Sequence, residues 1–225
     1  NDADEYEKDN VCDFVLWKAR KPEDGDNYWN SPWGSGRPGW HLECSAMGMK
    51  YLGETFDLHA GGVDLCFPHH ENEIAQTCSL NTNHDPKSFA QFWFHNGFVN
   101  VEGEKMSKSI GNIRLVHDLK SQYSGEVLRL TLLSAHYRQP LNWTKEIINQ
   151  NSKMLDRFYR SLKELQNVEI TSQKLSDEII EGLLDDLNTP KVLAELNTLS
   201  NKLSLANKEE KINIKNNLIA AGKIL

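Results

Sequence analysis

Two long stretches of the chain place apolar residues at helical spacing. Between residues 113 and 166 apolar positions recur every three or four residues, and a second such stripe follows a polar stretch near 167–176. This spacing puts the apolar side chains on one face, so both stretches are predicted to form amphipathic helices packed on a core. The two stripes consist of Ile147, Ile148, Met154, Leu155, Phe158, Leu162 and Leu165, and of Val192, Leu193, Leu196, Leu199 and Leu203.

The sequence just before the second helical stripe carries a helix-start signal. Thr189 is followed directly by Pro190, just before the first apolar residues of the stripe. A threonine side chain can accept a hydrogen bond from the first free amides of a helix, and proline suits the first helical position. We therefore expect Thr189 to cap this helix with Pro190 as its first residue.

The part of the chain before the helices shows strand-like alternation. From Thr55 to His59 polar and apolar residues alternate, which predicts a half-buried strand with Phe56 and Leu58 on one face. Gly61-Gly62 should break this strand. The pattern differs from the helical stripes and indicates a mixed α/β region.

Further β-like runs complete this region. The β-like, aromatic-rich run 92–95 leads into 97–101 and a polar turn. We therefore predict an α/β fold over 1–112, a helical region over 113–175, and the start of a further helical domain over 176–225. A chain of 225 residues is long enough to bury a full core and to contain more than one domain.

The charge of the chain is unevenly distributed. The net charge is −7, yet residues 105–163 carry 11 Lys and Arg against 4 Asp and Glu. A polyanion such as nucleic acid should therefore bind at this basic middle rather than to the protein as a whole. No apolar run is long enough to span a bilayer, and the four cysteines show no disulfide spacing. We expect a cytoplasmic protein with reduced thiols.

The segment Lys105-Met106-Ser107-Lys108-Ser109 has the composition of a phosphate-binding loop. Two ammonium groups, hydroxyls and backbone amides can converge on one polyphosphate, and Gly111 closes the run. Lysine and serine runs are also common in solvated basic loops, so composition alone leaves both interpretations open.

Three other residues have the chemistry of a zinc site. Pro68 should open a helix running to about Leu80, on which His69 and Glu73 lie four residues apart on one face. Cys44 would join them from a separate element, and a sulfur, nitrogen and oxygen set suits a catalytic Zn²⁺. His70 competes with His69 as the ligand. An ordinary helix start beside a buried cysteine remains the alternative.

Four segments, in this order, resemble the cysteinyl-tRNA synthetase family of class I aminoacyl-tRNA synthetases. They are residues 36–47, which contain Trp40-His41-Leu42-Glu43-Cys44, residues 56–64, residues 69–73 and the Lys105–Ser109 segment. The resemblance runs from about 13 to 143, with a weaker continuation around 185–190. It implies the second half of a Rossmann-like class I catalytic domain, followed by α-helical domains that lead towards the anticodon.

The resemblance also implies the chemistry. The family activates L-cysteine with ATP and Mg²⁺ and transfers it to tRNA(Cys), while a zinc ion selects the thiolate. The residues carried over are Cys44, His69 and Glu73 for one Zn²⁺, Trp40 and His59 for the cysteine pocket, Asp64, Gly97, Val99 and Lys108 for ATP, and Lys105 and Lys108 as catalytic lysines. Such a protein is expected to act as a monomer.

The family's His-Ile-Gly-His signature and one further zinc cysteine do not occur in this chain. We therefore expect these 225 residues to be a fragment that is inactive alone. Two other functions remain open. One is a ligase of the same family that joins cysteine to an amino-sugar, and the other is a non-catalytic zinc-containing module that binds RNA or a partner protein.

Overall fold

The computed structural model describes residues 13–80, 85–172 and 174–225. The chain divides after His95 into two compact units. Each unit has its own elements and is described separately. No described helix is long and apolar enough to cross a membrane.

The first unit opens with a three-stranded antiparallel sheet. Its strands are β1 (Trp17–Ala19), β2 (Trp29–Ser31) and β3 (Gly34–Pro38), in the order β1-β3-β2. Gly36 lies where β3 passes closest to its neighbour, because a Cβ there would lie 2.2 Å from the carbonyl oxygen of Lys18. The sheet leads directly into helix α1 (Trp40–Leu52).

The rest of the first unit pairs two strands and packs a second helix on α1. Strand β4 (Phe56–Gly62) pairs with β5 (Ala90–Asn96). Helix α2 (Glu71–Leu80) packs on α1 and is preceded by short helical segments at Val63–Leu65 and Cys66–His70. A small core forms from Phe56, Cys78, Phe89 and Ala90.

The prediction for β4 was correct in position and differs from the structure in two details. The strand ends at Gly61-Gly62 as expected, but it includes both glycines. Phe56 is buried against Phe89, whereas Leu58, on the same face by alternation, is 55% exposed. The packing that buries this face of the two-stranded pair therefore includes Phe56 and leaves Leu58 in solvent. The predicted helix start was right, because the last extended residue is Phe67 and helical backbone follows from Pro68.

The second unit begins with a small mixed sheet. Strands β6 (Val99–Val101), β7 (Glu104–Lys105) and β8 (Leu141–Trp143) lie in the order β7-β6-β8. Strand β6 runs antiparallel to β7 and parallel to β8. The prediction of helices throughout 113–166 missed β8, which at three residues is too short to show a periodic pattern.

Helices make up the remainder of this unit. They are α3 (Val116–Lys120), α4 (Gly125–Leu133), α5 (Lys145–Glu164), α6 (Asp177–Leu184), α7 (Thr189–Lys202) and α8 (Lys208–Gly222). Both predicted stripes are confirmed, since every residue of the α7 stripe is buried and none of the α5 stripe is exposed. The predicted cap was wrong by one residue. The Asn188 side chain accepts from the Lys191 amide, whereas the Thr189 hydroxyl donates to the Leu133 carbonyl.

Candidate functional site

Helix α1 presents three side chains of one candidate site. Trp40 and His41 occupy its first turn and Cys44 follows one turn later. The Trp40 ring stacks on His69, with centroids 4.2 Å apart. His41 Nδ1 lies 2.7 Å from His69 Nδ1, so this end of α1 is held against the start of α2.

The start of α2 supplies the buried carboxylate of the site. Helical spacing aligns His69 with Glu73, and His69 Nε2 lies 2.9 Å from Glu73 Oε1. Only 1% of the Glu73 surface is exposed. Burial would raise the pKa of Glu73, but the close contact with His59 and the electrostatic effect of the nearby imidazoles outweigh it and hold that pKa below its usual value. Glu73 is therefore an anion at neutral pH.

The sequence-predicted metal ligands lie together. The donor atoms of Cys44, His69 and Glu73 are all within 4.8 Å of one another. Burial and the Glu73 carboxylate raise the pKa of the Cys44 thiol to about 11. A thiol beside a buried carboxylate is thus protonated at neutral pH, and a cation shared by both would reverse this effect.

A zinc ion fits this donor set. Glu73 Oε2 lies 2.7 Å from His59 Nε2, yet it receives no well-aligned hydrogen bond and is a buried oxygen without a donor. A buried, unpaired carboxylate oxygen is costly unless a cation or donor satisfies it. A sulfur, a nitrogen and an oxygen donor at this spacing form a set that Zn²⁺ accepts.

A second donor set shares the same carboxylate. His59, His70 and Glu73 also offer ligand atoms within 4.8 Å of one another. His70 does not replace His69 beside Cys44; its Nδ1 lies 2.8 Å from His95 Nε2. Burial, together with repulsion from His59, lowers the pKa of His70 to about 4, so its ring is neutral.

Sequence reasoning identified only part of this histidine cluster. His41 and His95 were not among the predicted metal or substrate residues, although both make imidazole contacts at the site. They come from α1 and β5, which are far apart in the chain, and no spacing rule connects them. His59, predicted for the substrate pocket, lies in contact with Glu73 and beside His70.

Two glycines shape the segment that leads to Asp64. A Cβ on Gly61 would lie 3.0 Å from His70 Nε2, and one on Gly62 would lie 2.4 Å from Asp64 Oδ1. The backbone therefore passes close to both side chains, and a side chain at either glycine position would displace them. Asp64 itself lies in the short helical segment Val63–Leu65.

The second unit holds the predicted phosphate loop. Lys105 Nζ lies over the Phe98 ring, 3.7 Å from its centroid. Asn112 closes the loop, because its Nδ2 donates to the Lys105 carbonyl at 3.2 Å and its Oδ1 accepts from the Ser107 amide at 2.9 Å. Lys108 is exposed. Sequence reasoning did not single out Asn112.

The predicted nucleotide residues Gly97 and Val99 lie beside this loop in the same unit. The Gly97 amide donates to the Tyr137 carbonyl at 2.7 Å, and a Cβ on Gly97 would lie 2.5 Å from the Gln139 carbonyl oxygen. The Val99 carbonyl accepts from the Met106 amide at 3.0 Å, so β6 and the loop are directly bonded.

Comparison with known proteins gives the family. Residues 1–153 match the model of the tRNA synthetases class I (C) catalytic domain. This chain belongs to the class I (C) tRNA synthetase family. A cysteine–tRNA ligase from Parvibaculum lavamentivorans is 54% identical over 98% of this chain and 46% of its own length. One from Rhodospirillum rubrum is 50% identical over 98% of this chain and 47% of its own length.

A solved structure shares the fold of this synthetase-family chain. It is the ternary complex of Agrobacterium radiobacter K84 agnB2 LeuRS-tRNA-LeuAMS, with a TM-score of 0.61 at 14% identity, covering 85% of this chain and 31% of that one. The fold is thus that of a class I synthetase catalytic domain with Rossmann-like features. The chain spans about half the length of the curated relatives it matches.

Proposed function

We propose that this chain forms part of a cysteine–tRNA ligase, which activates L-cysteine with ATP and transfers it to tRNA(Cys). The observation that carries the proposal is the meeting of Cys44, His69 and Glu73 within 4.8 Å, in a chain 54% identical to a curated ligase of that name. A class I synthetase for another amino acid would have no evident use for this set.

Selection of cysteine over serine is the chemical problem that this site addresses. The two substrates differ by one atom, and pocket shape alone discriminates near-isosteres poorly. Zinc, when held by Cys44, His69 and Glu73, would supply a borderline-soft ion that prefers a thiolate to a hydroxyl and lowers the thiol pKa. Trp40, stacked on His69, and His59, against Glu73, would line the pocket and orient the substrate.

Residues of the second unit would serve ATP. Lys105 and Lys108 would stabilise the charge that develops on the triphosphate during adenylate formation, which is an electrostatic role. The backbone at Gly97 and Val99 would contact adenine. Mg²⁺ would accompany ATP as part of the substrate.

Asp64, in the first unit, would accept hydrogen bonds from ribose hydroxyls, because one carboxylate can accept from both. The preceding glycines, Gly61 and Gly62, would let the backbone approach the nucleotide closely. Transfer RNA would use the basic residues of the second unit, and α6 to α8 would begin an α-helical domain on the anticodon side.

The test is charging of a cysteine-accepting tRNA by the product of the complete open reading frame that encodes this chain. We expect charging with labelled cysteine, none with serine, and loss of charging in Cys44→Ala. Cys66→Ala is the matched control, because this cysteine belongs to neither donor set found among the described residues. Cysteine-dependent ATP turnover without charging would instead indicate the amino-sugar ligase, and absence of both would refute the proposal.

A further inference from the structure

An ion-pair cluster joins two connectors of the second unit. The first connector, residues 134–140, links α4 to β8, and the second, residues 185–188, links α6 to α7. Arg138 Nε and Nη2 donate to the two carboxylate oxygens of Asp186 at 2.5 and 3.2 Å. The Tyr137 hydroxyl donates to Asp186 Oδ1 at 2.6 Å, and His136 Nε2 lies 3.9 Å from Oδ2. A bidentate arginine pair of this kind fixes direction as well as distance.

The backbone of the second connector is held in an unfavourable conformation. Asp186 and Leu187 have φ values of 52° and 53°, in the left-handed region that residues other than glycine rarely adopt. Leu187 is about half exposed, so burial of its own side chain offsets little of this cost. Such strain persists where surrounding contacts determine the conformation. Here those contacts include the Asp186 cluster and the hydrogen bond from Thr189 to the Leu133 carbonyl at 2.7 Å.

The other side of the first connector touches the predicted adenine-binding backbone. The Tyr137 carbonyl accepts from the Gly97 amide at 2.7 Å, and the Leu141 amide donates to the Phe98 carbonyl at 2.9 Å. The carbonyl oxygens of Arg138 and Gln139 fill the space where a Cβ of Gly97 would lie, at 3.0 and 2.5 Å. Any displacement of this connector therefore displaces the Gly97 backbone.

We infer that Asp186, through Arg138 and Tyr137, is a positioning residue that holds residues 97–99 in the geometry that binds the adenine of ATP. The inference rests on the proposed function for the use of this strand. Through this contact, the connector before α7 would influence the affinity for ATP. Neither Asp186 nor Arg138 touches ATP in this account; both act through the 134–140 connector.

The charge state of the cluster agrees with this role. Hydrogen bonds from Arg138 and Tyr137 lower the pKa of Asp186 to about 2. The pair is thus fully ionised at neutral pH, where its directional contacts are present.

The test compares Asp186→Asn with Asp185→Asn in the product of the complete open reading frame. Asparagine tolerates the left-handed conformation, so Asp186→Asn removes the charge while leaving the backbone preference intact. Asp185 is the matched control, because it lies 3.9 Å from Lys191 and accepts a bond from Asn188 that asparagine can also accept. Binding of a non-hydrolysable ATP analogue is measured by calorimetry, and amide exchange is followed over residues 96–101.

We expect Asp186→Asn to weaken analogue binding about tenfold and to speed exchange at 97–98, with Asp185→Asn unchanged. The KM for cysteine should not move. Arg138→Lys, which retains charge and loses the fork, should have a smaller effect in the same direction. The double variant Asp186→Asn/Arg138→Gln should be no worse than its worse single variant, because both remove one interaction.

Two results would overturn the inference. One is a lower melting temperature in Asp186→Asn with analogue binding and exchange as in the unmodified protein, which would make the cluster purely structural. The other is absence of analogue binding by the unmodified protein. If that protein binds the analogue but shows no cysteine-dependent ATP turnover, the proposed function fails, while binding and exchange in the variants still decide the positioning role.

Discussion

Replacement of Asn112 by alanine should slow cysteine activation by opening the phosphate loop. The Asn112 side chain makes two hydrogen bonds across the loop, one to the Lys105 carbonyl at 3.2 Å and one from the Ser107 amide at 2.9 Å. Alanine removes both. The loop contains Lys105 and Lys108, so the variant would leave both lysines in place and alter only how well their segment is ordered.

The magnitude follows from these two bonds. A hydrogen bond within a protein contributes a net free energy of about 1 kcal/mol. Loss of two such bonds from a partly exposed loop would favour the open loop by up to about 2 kcal/mol. Because 1.4 kcal/mol corresponds to about a tenfold change in an equilibrium constant, the activation rate should fall about 10- to 30-fold. The KM for cysteine should stay constant, since both bonds of the Asn112 side chain lie within the phosphate loop.

The assay is cysteine-dependent exchange of pyrophosphate into ATP, with limited trypsin digestion at Lys105 and Lys108 as an independent readout of loop order. Asn142→Ala is the matched control, because Asn142 accepts one bond from the Gly103 amide at 2.8 Å, outside the loop. Activity of Asn112→Ala within twofold of the unmodified protein, with unchanged digestion, would refute this reasoning.

Three further predictions concern metal content, stability and pH. Cys44→Ser should lower the zinc content measured by elemental analysis well below one ion per chain, whereas Cys66→Ser should retain it. Lys215→Met should lower the free energy of unfolding by about 2 kcal/mol in denaturant titration, because the buried ammonium donates to two backbone carbonyls just after α5. The folded-state pKa of Asp186, about 2, lies below its ordinary value of 3.8, so its stabilising contribution is present above pH 4 and lost towards pH 2. The stability difference between the unmodified protein and Asp186→Asn should therefore vanish over that range in acid titration.

Local sequence was sufficient where one segment forms the feature. The α7 stripe and the helix carrying His69 and Glu73 follow directly from spacing, and the phosphate loop is continuous in the chain. Prediction from the sequence failed where contacts with other segments of the chain decide the local structure. Strand β8 exists because it pairs with β6, and the Thr189 hydroxyl is used by the Leu133 carbonyl, which leaves the cap to Asn188.

The candidate metal centre shows the same limit more sharply. Cys44 could be linked to the His69 pair only by its donor chemistry and by resemblance to a family, because 24 residues separate it from that histidine and no spacing rule connects them. His41 and His95 could not be linked at all, since they belong to α1 and β5 and reach the cluster only when the first unit folds. Periodicity reports which face of an element is buried, and it carries no information on which buried polar groups meet.

The polar interior of the first unit argues for function on energetic grounds. Among the residues that the structure describes, its apolar core consists of four buried residues, whereas His41, His69, His70 and Glu73 are all buried beside it. Burying a carboxylate and three imidazoles costs desolvation energy that their mutual hydrogen bonds offset only in part, and apolar residues of similar volume would stabilise such an interior at least as well. The cluster also leaves Glu73 Oε2 without an aligned donor, a defect that further histidine contacts do not remove. An arrangement that sacrifices stability and keeps an unsatisfied anion beside a thiol is what the proposed zinc ion requires, and stability alone does not explain it.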